Sequence, residues 1–99
     1  MKFKLSKKAL EDIEGIWLFT VENWSVEQAD RYFNLIFDEI EFITENPLSG
    51  KDYSHVRKNY RCSRVQSHLL FYRIITNKNE VEIIRVLHQR MDIERILHK

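Results

Sequence analysis

The chain has 99 residues, of which 43% are hydrophobic and 31% are charged, and it contains only two Gly and one Pro. This length is that of one domain, and the composition argues against disorder, collagen-like repeats and a loop-rich scaffold. The single cysteine, Cys62, cannot form an internal disulfide, and the four His show no metal-ligand spacing with it. We therefore expect no disulfide, no bound metal and no cofactor.

The first half of the sequence predicts a short strand followed by two helices. Residues 2–5 form the strand, and Ser6 is a suitable N-cap for a helix that ends near Asn23. Ser25 opens a capping box, and the second helix continues to Asn46, where Pro47 stops it. Apolar residues recur at helical spacing in both segments: Ala9, Leu10, Ile13, Ile16, Trp17, Thr20, Val21 and Trp24 in the first, and Val26, Ala29, Phe33, Ile36, Phe37, Ile40 and Ile43 in the second. Because the link between the helices is so short, they must be antiparallel neighbours.

The second half predicts three strands, over residues 59–65, 68–76 and 81–88. The last two are joined by a turn that we expect to be centred on residues 78–79. Such a hairpin places Tyr72 opposite Arg85 and also pairs Phe71 with Val86 and Leu70 with Leu87.

The strands over residues 68–76 and 81–88 are apolar on both faces, so we expect a cover on each side of the sheet. The helical hairpin covers one side. A short C-terminal helix capped by Asp92, in which Ile93, Ile96 and Leu97 are the apolar residues, covers the other. The predicted fold is a single α+β domain over residues 1–99, in the order β-αα-βββ with a final short helix.

Charge is divided unequally along the chain. Residues 1–50 contain five Lys or Arg and ten Asp or Glu, whereas residues 51–99 contain eleven and five. The two halves are either ordinary solvated faces or surfaces that steer a partner locally. The basic residues mostly alternate with apolar ones, so we expect no direct sequence-specific DNA binding. With no apolar segment after the basic start and no run near about 18 apolar residues, we expect a cytoplasmic protein without membrane contact.

Four segments carry a pattern found in a known family: residues 17–28 (WLFTVENWSVEQ), 46–50 (NPLSG), 68–73 (HLLFYR) and 84–92 (IRVLHQRMD). Together they resemble the ParE family of type II toxin-antitoxin toxins, within the RelE/ParE superfamily. The resemblance implies a RelE/ParE-like fold, with an antiparallel sheet packed on the helical hairpin. It also implies a bacterial toxin that inhibits DNA gyrase by protein binding rather than catalysis and is neutralised by a ParD-type antitoxin. The positions that match the family motifs are His68, Tyr72 and Arg73 in the central strand, and Arg85, His88, Arg90, Met91 and Asp92 near the C-terminus.

The superfamily also contains ribosome-dependent mRNA endonucleases, which is the alternative function. In that case Arg64, Arg85 and His88 would form the catalytic site, with Tyr60 or Tyr72 as the proton donor. The chain lacks the terminal Tyr or His-Tyr pair that many nuclease members carry. Structural roles are the alternatives for these residues: Arg85 stacked on Tyr72 or paired with Asp92, and His88 as a hydrogen-bonded residue at a strand end. A third possibility is a non-toxic module that retains only antitoxin binding.

Some apolar residues fall outside the predicted core stripes of the helices: Leu18 and Phe19 in the first, and Leu35 and Phe42 in the second. We expect them to anchor an antitoxin helix, unless Leu35 and Phe42 pack under the loop of residues 47–58 or against the sheet edge. If the antitoxin ends in an acidic tail, the residues expected to receive it are Arg57, Lys58, Arg61 and Arg64.

Overall fold

Three capped helices and a five-stranded sheet form the fold of residues 1–98, the part of the chain that the structure, a computed structural model, describes. The strands are β1 (Lys2–Leu5), β2 (Lys51–Asp52), β3 (Arg61–Val65), β4 (His68–Ile75) and β5 (Glu80–His88), and the helices are α1 (Lys7–Asn23), α2 (Val26–Glu45) and α3 (Ile93–Leu97). The predicted N-caps are confirmed. Ser6 Oγ accepts a hydrogen bond from the Ala9 N–H at 3.0 Å, and Ser25 Oγ accepts one from the Gln28 N–H at 3.1 Å.

The strand order across the sheet is β1-β5-β4-β3-β2. Strands β2 to β5 pair antiparallel, as predicted for β3 to β5, whereas the two-residue β2 was not predicted. Strand β1 runs parallel to β5 and ends where Leu5 lies opposite Ile83. Within residues 1–98, the β1 side of β5 has no neighbouring strand beyond Ile83. This short edge matters because it becomes one wall of the candidate site.

The predicted pairing of Tyr72 with Arg85 is wrong. Tyr72 lies opposite Ile83 because the turn is longer than expected and shifts the register by two residues. A β-bulge between Phe71 and Tyr72 then places Phe71 opposite Arg85. Leu70 correspondingly lies opposite Val86, and Leu69 opposite Leu87. The turn also differs from the expected one, since residues 76–78 form a 3₁₀ turn and Asn79 has a left-handed backbone (φ 51°). This longer turn makes Ile75 and Glu80 the first pair.

The sheet is covered on both faces, as predicted. On one face, the buried residues of α1 and α2 form a core with Leu70, Tyr72, Val81, Ile83 and Val86. On the other, Ile93 and Leu97 of α3 pack with Val56, Phe71 and Leu87. Burial of large side chains, at about 1.5–3 kcal/mol each, stabilises both layers.

The predicted helix stripes are wider than the faces that are buried. Leu10, Trp24, Val26 and Phe33 were expected in the core but are exposed, and Trp24 most of all, with 69% of its surface accessible. The buried residues of α1, Ala9 and Ile13, both come from its first half. The second half of α1 is therefore not sealed against the sheet, which leaves space for a groove.

Candidate functional site

A groove of about 640 Å³ opens between the second half of α1 and the ends of β4 and β5. Its walls are mainly apolar. Among the residues that line it are four predicted from the sequence as site residues: Phe19, His68, His88 and Met91. We call this cavity the α1–β5 groove.

Asp12, which lines the groove, forms an ion pair with Arg85 that joins α1 to β5. Arg85 donates to both carboxylate oxygens of Asp12, through Nε at 2.8 Å and Nη2 at 3.0 Å. The Val86 N–H also donates to Asp12 Oδ2 at 2.9 Å. Asp12 thus supplies a hydrogen-bond acceptor to a backbone N–H of β5 beyond the point where β1 ends. The hydrogen bond to Asp12 raises the pKa of Arg85, which is therefore a fixed cation. Neither predicted structural role of Arg85, stacking on Tyr72 or pairing with Asp92, is the one observed.

His68 is held on the floor of the groove by Tyr32 of α2. Tyr32 Oη lies 2.6 Å from His68 Nδ1 and donates its own proton to the Val65 carbonyl oxygen at 2.9 Å. The Tyr32 hydroxyl therefore fixes the orientation of the His68 imidazole through its Nδ1 atom. Burial, reinforced by the neighbouring His88, lowers the pKa of His68 to about 4. His68 is neutral at pH 7.

His88 lies opposite His68 in the sheet, with the two ring centroids 5.2 Å apart in an edge-to-face arrangement. His88 Nδ1 accepts a hydrogen bond from the Arg90 N–H at 3.1 Å, which shapes the turn that follows β5. Met91 is half exposed in this turn. Asp92 Oδ1 accepts from the Arg95 N–H at 3.4 Å and so caps α3, as predicted.

Two family-motif residues of β4, Tyr72 and Arg73, lie outside the α1–β5 groove and make structural contacts. Tyr72 is fully buried in the helix-facing core, and its hydroxyl donates to the Pro47 carbonyl oxygen at 2.8 Å. Arg73 pairs with Glu82 on β5 at 2.7 Å and is half exposed. The structure thus divides the family motif into groove residues and residues that hold the fold.

The residues of the ribonuclease alternative are not arranged as a free catalytic set. Arg85 is bound to Asp12, and the buried Tyr72 hydroxyl is bonded to the 47–50 loop. Arg64 lies at the same end of the sheet as His88, but its Nη1 donates to Gln89 Oε1 at 2.5 Å and to the Gln66 carbonyl oxygen. Tyr60 packs with the α3 layer.

The four apolar residues predicted to contact an antitoxin are all exposed, by 53% for Leu18, 60% for Phe19, 39% for Leu35 and 51% for Phe42. Phe19 faces the α1–β5 groove. Leu35 and Phe42 line a second, smaller groove of about 310 Å³ between α2 and the end of β3. Phe19 therefore belongs to one groove, and Leu35 and Phe42 belong to another.

The four basic residues predicted to receive an acidic tail differ in how they are held. Arg57 Nη1 donates to the Leu97 carbonyl oxygen at 3.1 Å, and Arg61 Nη2 donates to the carbonyl oxygens of Leu48 and Gly50. Arg64 is bonded as described above, whereas Lys58 is simply exposed. Three of the four thus also fix loops or the C-terminal helix.

Within residues 1–98 there is no group of three or more His, Cys, Asp or Glu that could hold a metal ion. Burial raises the pKa of Cys62 to about 11, so its thiol stays protonated at neutral pH. None of the helices in the same part of the chain is both long enough and apolar enough to span a membrane.

Asp12, Tyr32 and Trp24 are among the groove residues that sequence reasoning missed. In the sequence, Asp12 is one of several charges in the first predicted helix, and Tyr32 adjoins the apolar stripe of the second. Their partners, Arg85 and His68, are 73 and 36 residues away, so no local signal could identify them. Trp24 did carry a signal, because it directly precedes the Ser25 cap, at the tip of the hairpin, where few elements can cover it.

The comparisons with known proteins agree with this architecture. The family described as "ParE toxin of type II toxin-antitoxin system, parDE" matches residues 3–93. Toxin ParE1 of Mycobacterium tuberculosis is 38% identical over 96 residues, which cover 97% of each chain. Toxin ParE1 of Caulobacter vibrioides is 40% identical over 90 residues, which cover 91% of each chain.

Two solved structures share the fold at low sequence identity. A chain of the chromosomal ParDE toxin-antitoxin system of P. aeruginosa has a TM-score of 0.76 at 18% identity, with 89% of this chain and 95% of that chain covered. The isolated E. coli RelE toxin has a TM-score of 0.60 at 13% identity, with coverages of 98% and 94%. The matched family and the relatives, which span almost the whole chain, show that this protein belongs to the ParE family of type II toxin-antitoxin toxins and has the RelE/ParE fold.

Proposed function

We propose that this toxin inhibits DNA gyrase by protein binding and is neutralised by a ParD-type antitoxin. The observation that carries the proposal is the character of the α1–β5 groove. Its family-motif residues, His68, His88 and Met91, stand among apolar side chains, and Asp12, His68 and His88 are engaged in internal hydrogen bonds. This proposal implies a cytoplasmic location.

A binding surface and a catalytic site require different properties of their ionisable side chains. General acid–base catalysis requires side chains that are free to exchange a proton near neutral pH. His68 has a pKa of about 4, which makes it a weak base, and Arg85 is tied to a carboxylate. Exposed aromatic and Met side chains, in contrast, are typical of protein interfaces. Phe19, Trp24 and Met91 are of this kind.

The antitoxin part of the proposal has support from the P. aeruginosa structure, which belongs to a chromosomal ParDE toxin-antitoxin system. In this chain the exposed residues Leu18, Phe19, Leu35 and Phe42 provide apolar anchors on both helices. An amphipathic helix that lies in a groove uses anchors of this kind. We infer that the antitoxin covers these helices and so prevents the toxin from reaching its target.

The test is a supercoiling assay with purified gyrase and relaxed plasmid, run beside an mRNA cleavage assay with translating ribosomes. We expect the purified chain to block supercoiling and to leave mRNA intact. Unaffected supercoiling together with mRNA cleavage would support the ribonuclease alternative. Tight antitoxin binding without an effect in either assay, or on growth, would identify the non-toxic module.

Variants of the groove make the test specific. Phe19→Glu and Met91→Glu each place a charge in the α1–β5 groove at an exposed position, so we expect a folded chain that inhibits gyrase at least about tenfold less. Leu48→Glu is the matched control, because Leu48 is 71% exposed and does not line this groove. If Leu48→Glu is as defective as the groove variants, the α1–β5 groove is not the target surface.

A further inference from the structure

The outer side of α2 presents an apolar stripe edged by carboxylates. Leu35, Asp38, Phe42 and Glu45 follow one another at intervals of three or four residues, so they lie along one side of the helix. All four are exposed. We call this set the α2 stripe. Leu35, Asp38 and Phe42 of this set line the smaller groove together with Glu39, and Arg64, Val65 and Gln66 close it on the sheet side. The Arg64 guanidinium is hydrogen-bonded to Gln89 and to the Gln66 carbonyl oxygen, so the carboxylates of α2 outnumber the cations at this groove.

Negative charge on α2 is largely uncompensated. The helix contains one basic residue, Arg31, and six acidic residues: Glu27, Asp30, Asp38, Glu39, Glu41 and Glu45. Within residues 1–98 none of these six carboxylates has an ion-pair partner. Asp30 and Glu39 accept hydrogen bonds from Trp17 and Ser63. Asp38 and Glu45 of the α2 stripe and the neighbouring Glu41 are exposed to solvent.

Such a surface selects its partner by charge. Like charges at neighbouring positions of a helix repel one another, and a ligand that brings cations relieves this repulsion. Nucleic acids and anionic lipid surfaces are polyanions, so the carboxylates repel them. Leu35 and Phe42, two helical turns apart, require apolar groups of matching spacing in the ligand.

We propose that the α2 stripe binds a basic amphipathic helix of a partner protein, which sets its apolar residues on Leu35 and Phe42 and its Lys or Arg residues against Asp38, Glu41 and Glu45. The proposal deepens the proposed antitoxin interaction and rests on it for the identity of the partner. It specifies that the partner segment lying on α2 is basic, whereas a partner segment that contacts the arginines of β3 and the preceding loop would be acidic. A partner chain with one basic and one acidic segment could then wrap around the toxin in only one direction.

The experiment uses the full chain and a synthetic helical peptide of about 18 residues, long enough to run along α2. The peptide has leucines spaced three, four and seven residues apart, so that they form one face of its helix, and lysines on either side of that face. A second peptide has glutamates in place of the lysines. We expect the lysine peptide to bind at low salt and the glutamate peptide to bind at least about tenfold more weakly. Raising the salt to about 0.5 M should weaken the lysine peptide several-fold, because exposed ion pairs are screened.

Two charge-matched double variants locate the binding. Asp38→Lys with Glu45→Lys reverses two carboxylates of the α2 stripe, whereas Glu14→Lys with Glu22→Lys reverses two exposed carboxylates of α1 and changes the net charge equally. We expect the first to weaken the lysine peptide by about tenfold and the second by less than about threefold. Equal losses would mean that the peptide responds only to overall charge, which would overturn the proposal.

Single substitutions test the apolar contacts. Phe42→Ser and Leu35→Ser should each weaken the lysine peptide several-fold while the thermal midpoint stays close to that of the parent chain, since both side chains are exposed. Unchanged affinity in both variants, or no binding of the lysine peptide to the parent chain, would overturn the proposal.

The same variants separate this inference from the proposed function. If a ParD-type antitoxin binds the Asp38→Lys, Glu45→Lys variant as tightly as the parent chain, only the inference about α2 fails. If no antitoxin complex forms while the lysine peptide behaves as expected, the proposed antitoxin partner is wrong and the basic-ligand site stands.

Discussion

The hydroxyl of Tyr72 occupies the space that a side chain at Gly50 would need. The Gly50 N–H donates to Tyr72 Oη at 3.0 Å, and a Cβ built on Gly50 would lie 2.4 Å from that oxygen. Tyr72 Oη in turn donates to the Pro47 carbonyl oxygen. A motif residue of β4 therefore fixes the 47–50 loop from inside the core, and Gly50 is required by this close approach.

We predict that Gly50→Ala lowers the free energy of unfolding by about 1–3 kcal/mol, because the added methyl group displaces the buried phenol. Tyr72→Phe should lower it by a similar amount, since the buried Gly50 N–H loses its acceptor. The two residues are in contact, so the double variant should lose less than the sum of the single losses. Urea unfolding of the three variants measures this, and strict additivity would contradict the contact.

The Asp12–Arg85 pair should contribute more than an exposed ion pair. Asp12→Asn leaves Arg85, whose side chain is 21% exposed, without its counter-charge and weakens the acceptor for the Val86 N–H. We predict a loss of about 1–3 kcal/mol. Arg73→Gln is the matched control, because the Arg73 side chain is 49% exposed in its pair with Glu82 and should lose less than about 1 kcal/mol. Equal losses in chemical unfolding would show that Asp12 is merely a surface charge.

His68 should make the stability depend on pH. Its pKa is about 4 in the folded chain and 6.5 in the unfolded one, so the unfolded state binds a proton first as the pH falls. The stabilisation that comes from neutral His68 is complete above pH 6.5 and is lost progressively between pH 6.5 and 4. Thermal unfolding should show a midpoint that decreases across this range.

His68→Gln provides the comparison for that measurement. The variant lacks the imidazole, so the difference in midpoint between it and the parent chain should shrink as the pH falls from 6.5 to 4. The substitution removes this one imidazole and leaves every other side chain in place, so a difference that changes with pH reports on His68. A difference that is constant over this range would contradict a depressed pKa.

Ile13 and Leu18 on the same helix should respond very differently to truncation. Ile13 is 1% exposed in the core, and Leu18 is 53% exposed. We predict that Ile13→Ala loses about 2–5 kcal/mol and that Leu18→Ala changes stability by less than about 0.5 kcal/mol. A large loss for Leu18→Ala would return this residue to the core and remove it from the proposed antitoxin surface.

Local features of the sequence were sufficient to predict the helices and four of the five strands. Ser6, Ser25 and Asp92 cap helices where their side chains were expected to, because a cap depends only on residues within one helical turn. The change from helical spacing to alternation after Pro47 located β3, β4 and β5 to within two residues at their ends, whereas β2, with only two residues, is too short to show an alternation. The family resemblance added the fold name, which the residue pattern could not supply by itself.

The order of elements, their caps and the division of charge between the two halves were thus set by the sequence alone, because each depends on neighbouring residues or on composition. The tertiary structure decided the parallel pairing of β1, the register beyond the bulge and the partners Asp12–Arg85 and Tyr32–His68. These contacts join residues far apart in the chain, and a shift of one residue in a strand changes which side chains meet. The groove exists because α1 extends past the sheet that buries its first half, a relation between two packed layers that no single segment encodes.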